Sequence, residues 1–240
     1  MKHIAIVLAA GQGKRMNSKV AKQYLLLEDK PVLFYSLKVF EDSFVDHVIV
    51  VAGEEAVAYC QKEIVEKYGF TKVSCVAPGG RERYHSVNNG LLAAARLAGQ
   101  EETVVYIHDG ARPFVSQEML LRLRESVEAY GTGVAGMPVK DTIKIVDGAG
   151  FALETPNRSY VWQVQTPQCF LYADIAPAYA HLIAHEREIL EKGISITDDA
   201  MVMELLGCRK VKMVPGSYEN MKITTPEDLT VARSFMEKSH

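Results

Sequence analysis

The chain has 240 residues, of which 48% are hydrophobic and 24% are charged, a balance typical of a globular protein. Its formal net charge is −3, which disfavours proteins that hold nucleic acid or anionic membranes through bulk positive charge. The sequence has no apolar run near the roughly 20 residues that a membrane-spanning helix needs. We therefore expect neither a nucleic-acid partner nor a membrane partner.

The amino terminus and the cysteines both favour a cytoplasmic protein. Residues 4–10 are apolar, but this run is short and leads directly into a glycine-rich basic segment, so it predicts a buried strand and not a signal peptide. The four cysteines show neither C-x-x-C spacing nor metal spacing with histidine, which is typical of buried thiols in a reducing compartment. They are Cys60, Cys75, Cys169 and Cys208.

Strand-like and helix-like segments alternate along the first part of the chain. Runs rich in β-branched residues predict strands over 4–10, 47–52, 72–76, 103–108 and 133–138. Apolar residues at helical spacing predict helices within 32–40, 57–68, 86–98 and 119–130. This order indicates an α/β fold with a mostly parallel sheet covered by helices on both faces. Ligands of such sheets bind at the edge where the parallel strands end.

The alternation changes after residue 138. Two short extended runs, 139–146 and 151–155, flank a glycine-rich turn and predict a β-hairpin. The hairpin either extends the sheet edge or projects as an arm, and an arm would favour a dimer. A strand near 161–165, helices over 172–191 and 198–206, a strand at 211–214 and a final helix capped by Thr225 complete the prediction. We expect one domain over 1–240 with an arm at about 139–158.

A glycine-rich basic loop follows the first predicted strand. Gly11 and Gly13 allow the backbone to approach a ligand closely, and exposed N–H groups there can bind phosphate oxygens. Cations follow at once, namely Lys14, Arg15, Lys19 and Lys22. The loop lacks the P-loop pattern, and Met16 departs from the dinucleotide-binding fingerprint. A phosphate site is favoured over a solvated basic loop.

Other polar clusters fall at the ends of predicted strands. Asp109 follows the strand over 103–108 and either holds Mg²⁺ directly or through water, holds a substrate hydroxyl, or caps a turn beside Arg112. Ser86, after Gly79 and Gly80, either bonds a ligand or caps the next helix, the more common role. The remaining clusters contain Lys140, Asp141, Thr142, Arg158, Gln165, Thr166 and Lys222. The pair His181 and His185 lacks a third metal ligand, which favours a solvated helix face.

Taken in order, these motifs identify a known family. The chain resembles the 2-C-methyl-D-erythritol 4-phosphate cytidylyltransferases nearly from end to end. The matching motifs are the Ala-Ala-Gly-x-Gly-x-Arg-Met loop, Lys22-Gln23-Tyr24, Gly79-Gly80 with Ser86-Val87, His108-Asp109-Gly110-Ala111-Arg112-Pro113, Val139-Lys140-Asp141-Thr142, Thr166-Pro167-Gln168, Thr197-Asp198-Asp199 and Asn220-Met221-Lys222-Ile223-Thr224. The resemblance implies a Rossmann-like nucleotidyltransferase fold of the glycosyltransferase-A type with a projecting hairpin arm.

The resemblance also implies a reaction of non-mevalonate isoprenoid biosynthesis. The phosphate of methylerythritol phosphate attacks the α-phosphorus of CTP in the presence of a divalent cation, usually Mg²⁺, and pyrophosphate leaves. The family pattern implies a homodimer whose arms cross between subunits. It assigns catalysis to Arg15, Lys22 and Lys222, CTP binding to Ala9, Ala10, Gly11, Gly13, Gly80 and Ser86, and acceptor binding to Asp109, Arg112, Thr142, Arg158 and Thr166.

Several alternatives remain at this stage. Ribitol 5-phosphate cytidylyltransferases are similar over most of the chain, although segments 139–144 and 156–158 look more like the methylerythritol family. Sugar-1-phosphate nucleotidylyltransferases usually carry extra domains. A regulatory nucleotide-binding module without catalysis would not need both Lys22 and Lys222. One departure is Arg81, which stands where the family often has an acid.

Overall fold

A mixed β-sheet between two layers of helices forms the frame of the structure. The computed structural model describes residues 1–11, 20–99, 101–206 and 209–238. In chain order, the strands are β1 (Lys2–Ala9), β2 (Leu26–Leu27), β3 (Lys30–Pro31), β4 (His47–Ala52), β5 (Val73–Pro78), β6 (Thr103–Asp109), β7 (Thr132–Pro138), β8 (Ile145–Val146), β9 (Ala152–Glu154), β10 (Trp162–Leu171) and β11 (Met213–Pro215).

The helices occupy the connections between these strands. They are α1 (Val32–Glu41), α2 (Val57–Tyr59), α3 (Arg83–Ala98), α4 (Gln117–Tyr130), α5 (Tyr172–Ala184), α6 (Glu186–Glu191), α7 (Asp199–Leu206) and α8 (Pro226–Lys238). Helix α2 continues as a π-helical segment, Cys60–Glu66, and short 3₁₀ turns occupy Lys22–Tyr24, Glu54–Ala56 and Arg158–Tyr160. Within the described ranges, no helix is long and apolar enough to cross a membrane.

The main sheet has seven strands in the order β11-β7-β10-β6-β1-β4-β5. Neighbours are parallel except for β10, which runs antiparallel to both β6 and β7. The amino-terminal half of β10 therefore lies at the edge where the parallel strands end. This arrangement brings residues from both halves of the chain to a single edge.

Strand β1 lies in the interior of the sheet, between β6 and β4, and separates two hydrophobic layers. Alternate side chains point to opposite faces of a strand. Ala5 and Val7 pack in the layer that contains residues of α1 and α4, whereas Ile4 and Ile6 pack in the layer that contains residues of α3 and α5. All four side chains are fully buried, which is why β1 reads as an uninterrupted apolar run.

The predicted strands of the parallel sheet are confirmed to within two residues at either end. The predicted helix 86–98 begins three residues earlier, at Arg83, because Glu82 forms a capping box with His85. The expectation that Ser86 caps this helix is therefore wrong. The predicted helix 172–191 is divided into α5 and α6 at His185, whose backbone departs from helical geometry at φ −116° and ψ 17°.

The hairpin after β7 forms a separate two-stranded sheet and does not extend the main sheet. Its regular pairing is shorter than predicted, since only β8 and β9 are extended strands. The turn between them is held by the Asp147 carboxylate, which accepts hydrogen bonds from the backbone N–H groups of Ala149 and Phe151 at 2.9 and 3.0 Å. At the base of the arm, Arg158 donates to the carbonyl of Lys140 at 3.2 Å.

Candidate active site

A cavity of about 610 Å³ opens at the edge where β1 and β6 end. Seven of the predicted site residues line it, namely Ala10, Gly11, Lys22, Gly80, Ser86, Asp109 and Lys222. A smaller cavity of about 290 Å³ contains the predicted residues Arg112 and Thr166. Both cavities share Arg83, Asp109 and Lys222. Nine predicted site residues thus line two compartments that share walls.

The first compartment is built around the end of β1. The buried Gln23 side chain donates from Nε2 to the carbonyl of Ala9 at 2.5 Å, which fixes the 3₁₀ turn Lys22–Tyr24 beside this strand end. Lys22 faces the cavity as a result. Ala9 itself is buried, and its contribution to the compartment is this backbone carbonyl. The predicted residues Gly13 and Arg15 lie outside the described residues.

The Gly79-Gly80 turn forms the opposite wall of this compartment. A Cβ atom at Gly79 would overlap the Cβ of Ala10, and one at Gly80 would overlap the Cβ of His85. Only glycine allows the two loops to approach this closely. The Ser86 hydroxyl accepts from the backbone N–H of Gly80 at 3.0 Å, so Ser86 shapes the turn.

Asp109 is the centre of charge in the cleft. Its carboxylate lies 2.9 Å from Lys222 Nζ, 3.5 Å from Arg83 Nε and 3.7 Å from Arg112 Nε. Burial alone would raise the pKa of Asp109, but the three cations together lower it far below its usual value. The carboxylate is therefore ionised and acts only as an acceptor of hydrogen bonds.

Arg83 is a site residue that sequence reasoning did not assign. It forms a two-pronged ion pair with the buried carboxylate of Asp199 at 2.7 and 2.8 Å. Burial disfavours its charge, yet Asp199 raises the pKa of Arg83 well above its usual value. With Arg83 paired to Asp199, Arg112 and Lys222 remain as the positive charges beside Asp109, and Asp198 adds a second carboxylate to the smaller compartment.

A chain of hydrogen bonds fixes Asp109 from behind. His108 is fully buried, and burial lowers its pKa to about 4, so its ring is neutral. Its Nε2 lies 3.1 Å from the carbonyl of Arg112, which can only accept, and Nδ1 is therefore the acceptor for the Thr166 hydroxyl at 3.0 Å. The hydroxyl oxygen in turn accepts from the backbone N–H of Asp109 at 3.0 Å.

Asn220 connects the loop that carries Lys222 to the rest of the cleft. Its amide Nδ2 donates to the carbonyl of Thr166 at 2.9 Å, and its own backbone carbonyl accepts from Arg112 at 2.8 Å. The loop after β11 is thus tied to β10 and to the turn after β6. This connection explains how a lysine near the end of the chain reaches Asp109.

Two predicted acceptor residues lie away from both compartments. Thr142 and Arg158 are exposed on the arm. Conversely, Gln165 and Asp198 line the smaller compartment without having been assigned a role. The motif that contains Asp198 was visible in the sequence, but nothing local placed it beside β10.

Two carboxylate residues, Asp109 and Glu82, line the larger compartment, and the Glu82 side chain is engaged in the cap of α3. Across residues 1–11, 20–99, 101–206 and 209–238, no group of three His, Cys, Asp or Glu side chains could hold a metal ion. The ionised Asp109 carboxylate is a hard oxygen donor of the kind that Mg²⁺ accepts, and Mg²⁺ commonly takes its other ligands from water and substrate phosphates. The donor set therefore fits a magnesium ion bound together with a nucleotide.

Comparison with known proteins gives consistent results over nearly the whole chain. Residues 3–238 match the family model of 2-C-methyl-D-erythritol 4-phosphate cytidylyltransferase. Enzymes of that name from Geotalea uraniireducens and Lachnoclostridium phytofermentans are 47% and 45% identical to the chain. The alignment with the Geotalea enzyme covers 99% of the chain and 97% of that relative. The alignment with the Lachnoclostridium enzyme covers 98% of the chain and 96% of that relative.

Solved structures agree with these relatives. The 4-diphosphocytidyl-2C-methyl-D-erythritol synthase of Anaerococcus prevotii is 31% identical with a TM-score of 0.82, covering 98% of the chain and 96% of that structure. The 2-C-methyl-D-erythritol 4-phosphate cytidylyltransferase of Thermus thermophilus is 29% identical with a TM-score of 0.76, covering 99% and 100%.

The hydrogen-bond chain behind Asp109 predicts a stability cost for Thr166→Val. Valine keeps the shape but leaves the Asp109 N–H and His108 Nδ1 without partners, which should lower the free energy of unfolding by about 2 kcal/mol or more. Urea denaturation measures this change. Thr166→Ser should retain most of the stability, and Thr142→Val on the exposed arm should change it by less than about 0.5 kcal/mol. A Thr166→Val protein as stable as the wild type would contradict the stabilising role of these hydrogen bonds.

Proposed function

The chain belongs to the 2-C-methyl-D-erythritol 4-phosphate cytidylyltransferase family, and from this premise we propose how its cleft divides the work of the reaction. The enzyme transfers a cytidylyl group from CTP to 2-C-methyl-D-erythritol 4-phosphate in isoprenoid biosynthesis. The products are 4-diphosphocytidyl-2-C-methyl-D-erythritol and pyrophosphate. The larger compartment takes CTP, and the smaller one takes the acceptor.

The observation that carries this proposal is the junction of the two compartments. Asp109 and Lys222 belong to both, so substrates bound on either side meet beside the Lys222 ammonium. An enzyme that joins two phosphorylated molecules must hold two anions close together. A junction lined by cations provides that environment.

The chemistry needs positioning more than proton transfer. An oxygen of the acceptor phosphate forms the new bond to the α-phosphorus of CTP. The bond from that phosphorus to the oxygen bridging to the β-phosphorus breaks, and pyrophosphate leaves with the electron pair. A phosphate dianion is already a nucleophile, so no general base is required. Catalysis then rests on alignment and on stabilising negative charge in the transition state.

Three cations carry that stabilisation in our assignment. Lys22 lies in the larger compartment beside the end of β1, where it contacts the CTP phosphates. Lys222 lies at the junction and contacts both the α-phosphate and the attacking phosphate. The role of Arg15 at the CTP phosphates rests on the family resemblance alone, because Arg15 lies outside the described residues.

Small residues form the nucleotide wall. Ala10, Gly11, Gly80 and Ser86 line the larger compartment and offer backbone groups and one hydroxyl to the cytidine. Ala9 supports this wall through its bond to Gln23. Gly13 is assigned to the same pocket on the family resemblance alone.

Charge and hydrogen bonding define the acceptor compartment. The ionised Asp109 carboxylate accepts hydrogen bonds from acceptor hydroxyls, whereas Arg112 attracts the acceptor phosphate. The Thr166 hydroxyl donates a hydrogen bond to His108. It can therefore interact with the substrate only as a hydrogen-bond acceptor. Gln165 contributes a further polar group to this wall.

The family uses a divalent cation, and we assign Mg²⁺ to the larger compartment. Asp109 would hold the ion directly or through water, together with the CTP phosphates. When bound, the ion would neutralise phosphate charge and help to orient the nucleotide. Lys222 Nζ lies 2.9 Å from the Asp109 carboxylate, so a bound ion would contact the same group as this lysine.

The exposed arm supports a homodimer. Its apolar side chains include Phe151, which is 73% exposed, and Leu153, which is 68% exposed. Tyr160, at the base of the arm, is 84% exposed. A two-stranded hairpin has marginal stability alone, and an exposed apolar surface of this kind favours an intermolecular contact. We assign that contact to a second copy of the chain, so that Thr142 and Arg158 complete the partner's acceptor site.

The same premise extends to the setting of the enzyme. Residues 1–240 act as one catalytic domain with the arm as an extension. The free thiols of Cys60, Cys75 and Cys169 and the nucleotide substrate suit the reducing cytoplasm.

Acceptor choice provides the direct test of function. Purified protein with CTP and Mg²⁺ should release pyrophosphate rapidly with methylerythritol phosphate and at least about tenfold more slowly with ribitol 5-phosphate, because the acceptor compartment must match the hydroxyls. A coupled pyrophosphate assay measures both rates. Equal rates would show that the enzyme does not discriminate between the two acceptors. Absence of pyrophosphate release with either acceptor would contradict the transferase function.

Lys22→Ala should reduce turnover by at least about a hundredfold, because it removes a positive charge that acts in the transition state. Circular dichroism should show an intact fold. Lys67→Ala is the matched control, since Lys67 lies 3.5 Å from Glu63 on an exposed helical surface and should keep wild-type activity. Near-normal pyrophosphate release by folded Lys22→Ala protein would refute the assigned role.

Arg158→Ala should raise the acceptor KM more than the CTP KM, and mixing subunits tests whether Arg158 acts across the dimer. Equal amounts of Lys22→Ala and Arg158→Ala protein, unfolded and refolded together, should recover about a quarter of the wild-type rate at an acceptor concentration low enough that Arg158→Ala dimers are nearly inactive. Half of the dimers are then mixed, and each mixed dimer contains one intact site. Failure to recover activity, with mixed dimers confirmed by mass spectrometry, would place Arg158 in its own subunit's site.

A further inference from the structure

We infer that Glu186, the first residue of α6, is a positioning residue for the nucleotide compartment. Glu186 does not line the larger compartment, yet its carboxylate binds three side chains from the segment that does. The inference rests on the proposed CTP-binding role of Gly80. It adds a residue from a distant part of the chain that controls where Gly80 lies.

The contacts of Glu186 converge on one short segment. Its Oε1 accepts from the Tyr84 hydroxyl at 2.7 Å and from Arg81 Nη2 at 3.1 Å. Its Oε2 lies 3.2 Å from Nε2 of His85. The backbone N–H of Glu82 donates to Nδ1 of His85, which leaves the proton on Nε2 for Glu186. Three donors therefore bind both oxygens of one carboxylate.

His85 transmits this restraint to the glycine turn. The backbone of Gly80 packs directly on the Cβ of His85, so closely that no side chain fits between them. Gly80 also donates its N–H to Ser86, one residue further along α3. A displacement of His85 therefore displaces Gly80, and Gly79 packs on Ala10 across the compartment.

Arg81 contributes to the same arrangement from the cavity side. It lines the larger compartment, but its guanidinium is paired with Glu186, which directs this cation to the α6 side of the wall. The Arg81 side chain is 75% exposed, so the ion pair by itself contributes little to stability. Its importance lies in where it keeps the positive charge, in the wall of the larger compartment on the side of α6.

Both packing and polar contacts connect α6 to the start of α3. Helix α6 begins immediately after the break at His185, and none of its residues is fully buried. Ile189 of this helix packs on the hydrophobic layer that contains α3 and α5, whereas Glu186 itself is attached through polar contacts with the start of α3. Such contacts are directional and fix orientation more sharply than an apolar surface.

Glu186→Gln tests the inference. Glutamine keeps the shape, but only one of its two terminal atoms can accept, so either His85 or the Tyr84 and Arg81 pair loses its partner. We expect the CTP KM to rise about fivefold or more, while kcat and the acceptor KM stay within about twofold. Calorimetric titration of CTP without acceptor should show the same loss of affinity.

The matched control is Glu188→Gln, two residues further along α6. Glu188 pairs at 2.7 Å with Lys192, the residue that follows α6, and its substitution should leave all three kinetic parameters unchanged. Tyr84→Phe removes a single donor to Glu186, so it should raise the CTP KM in the same direction by a smaller factor. Because Tyr84→Phe is the milder change, it can still test the inference if the Glu186→Gln protein does not fold.

The outcomes separate the inference from the function on which it depends. A lowered melting temperature with an unchanged CTP KM would overturn the inference and assign Glu186 a structural role only. Equal rises in both KM values would also overturn it. Absence of pyrophosphate release from the wild-type protein would instead contradict the proposed function itself.

Discussion

The negative charge of Asp109 is the constraint on which the cleft depends. A carboxylate this deeply buried stays ionised because Arg83, Arg112 and Lys222 all lie within 3.7 Å. These cations come from the first turn of α3, the turn after β6 and the loop after β11. One buried anion thus holds together three segments that are distant in the sequence. The relative position of the two compartments follows from this cluster, because both use its members as walls.

The polar groups behind Asp109 explain why the cluster is rigid. Each atom in the chain from Asp109 through Thr166 and His108 to Arg112 has a defined role as donor or acceptor. A buried network of this kind permits one arrangement, because any rotation leaves a polar group without a partner. The charged groups of the cleft are therefore preorganised before the substrates bind, as electrostatic stabilisation of a transition state requires.

Much of the frame could be predicted from the sequence, because a strand buried on both faces is visible as a local apolar run. The strand-end positions of Lys22 and Asp109 followed from the same pattern. The acid partners of Arg83 and Arg81 could not be found this way. Asp199 and Glu186 follow β10 in the chain, and their pairing depends on helix packing that no local pattern records. The break at His185, which decides where α6 begins, also carried no glycine or proline signal.

The way in which the arm joins the sheet has a consequence for how this enzyme can diversify. Pro138, at the end of β7, pairs directly with Trp162, at the start of β10, so residues 139–161 leave and re-enter the sheet at adjacent positions. The sheet closes this loop, and the entropic penalty of closure grows only slowly with loop length. Insertions and substitutions in the arm are therefore tolerated without disturbing the register of β7, β10 or β6. The length and surface of the arm can therefore change while the sheet that positions the nucleotide compartment keeps its register.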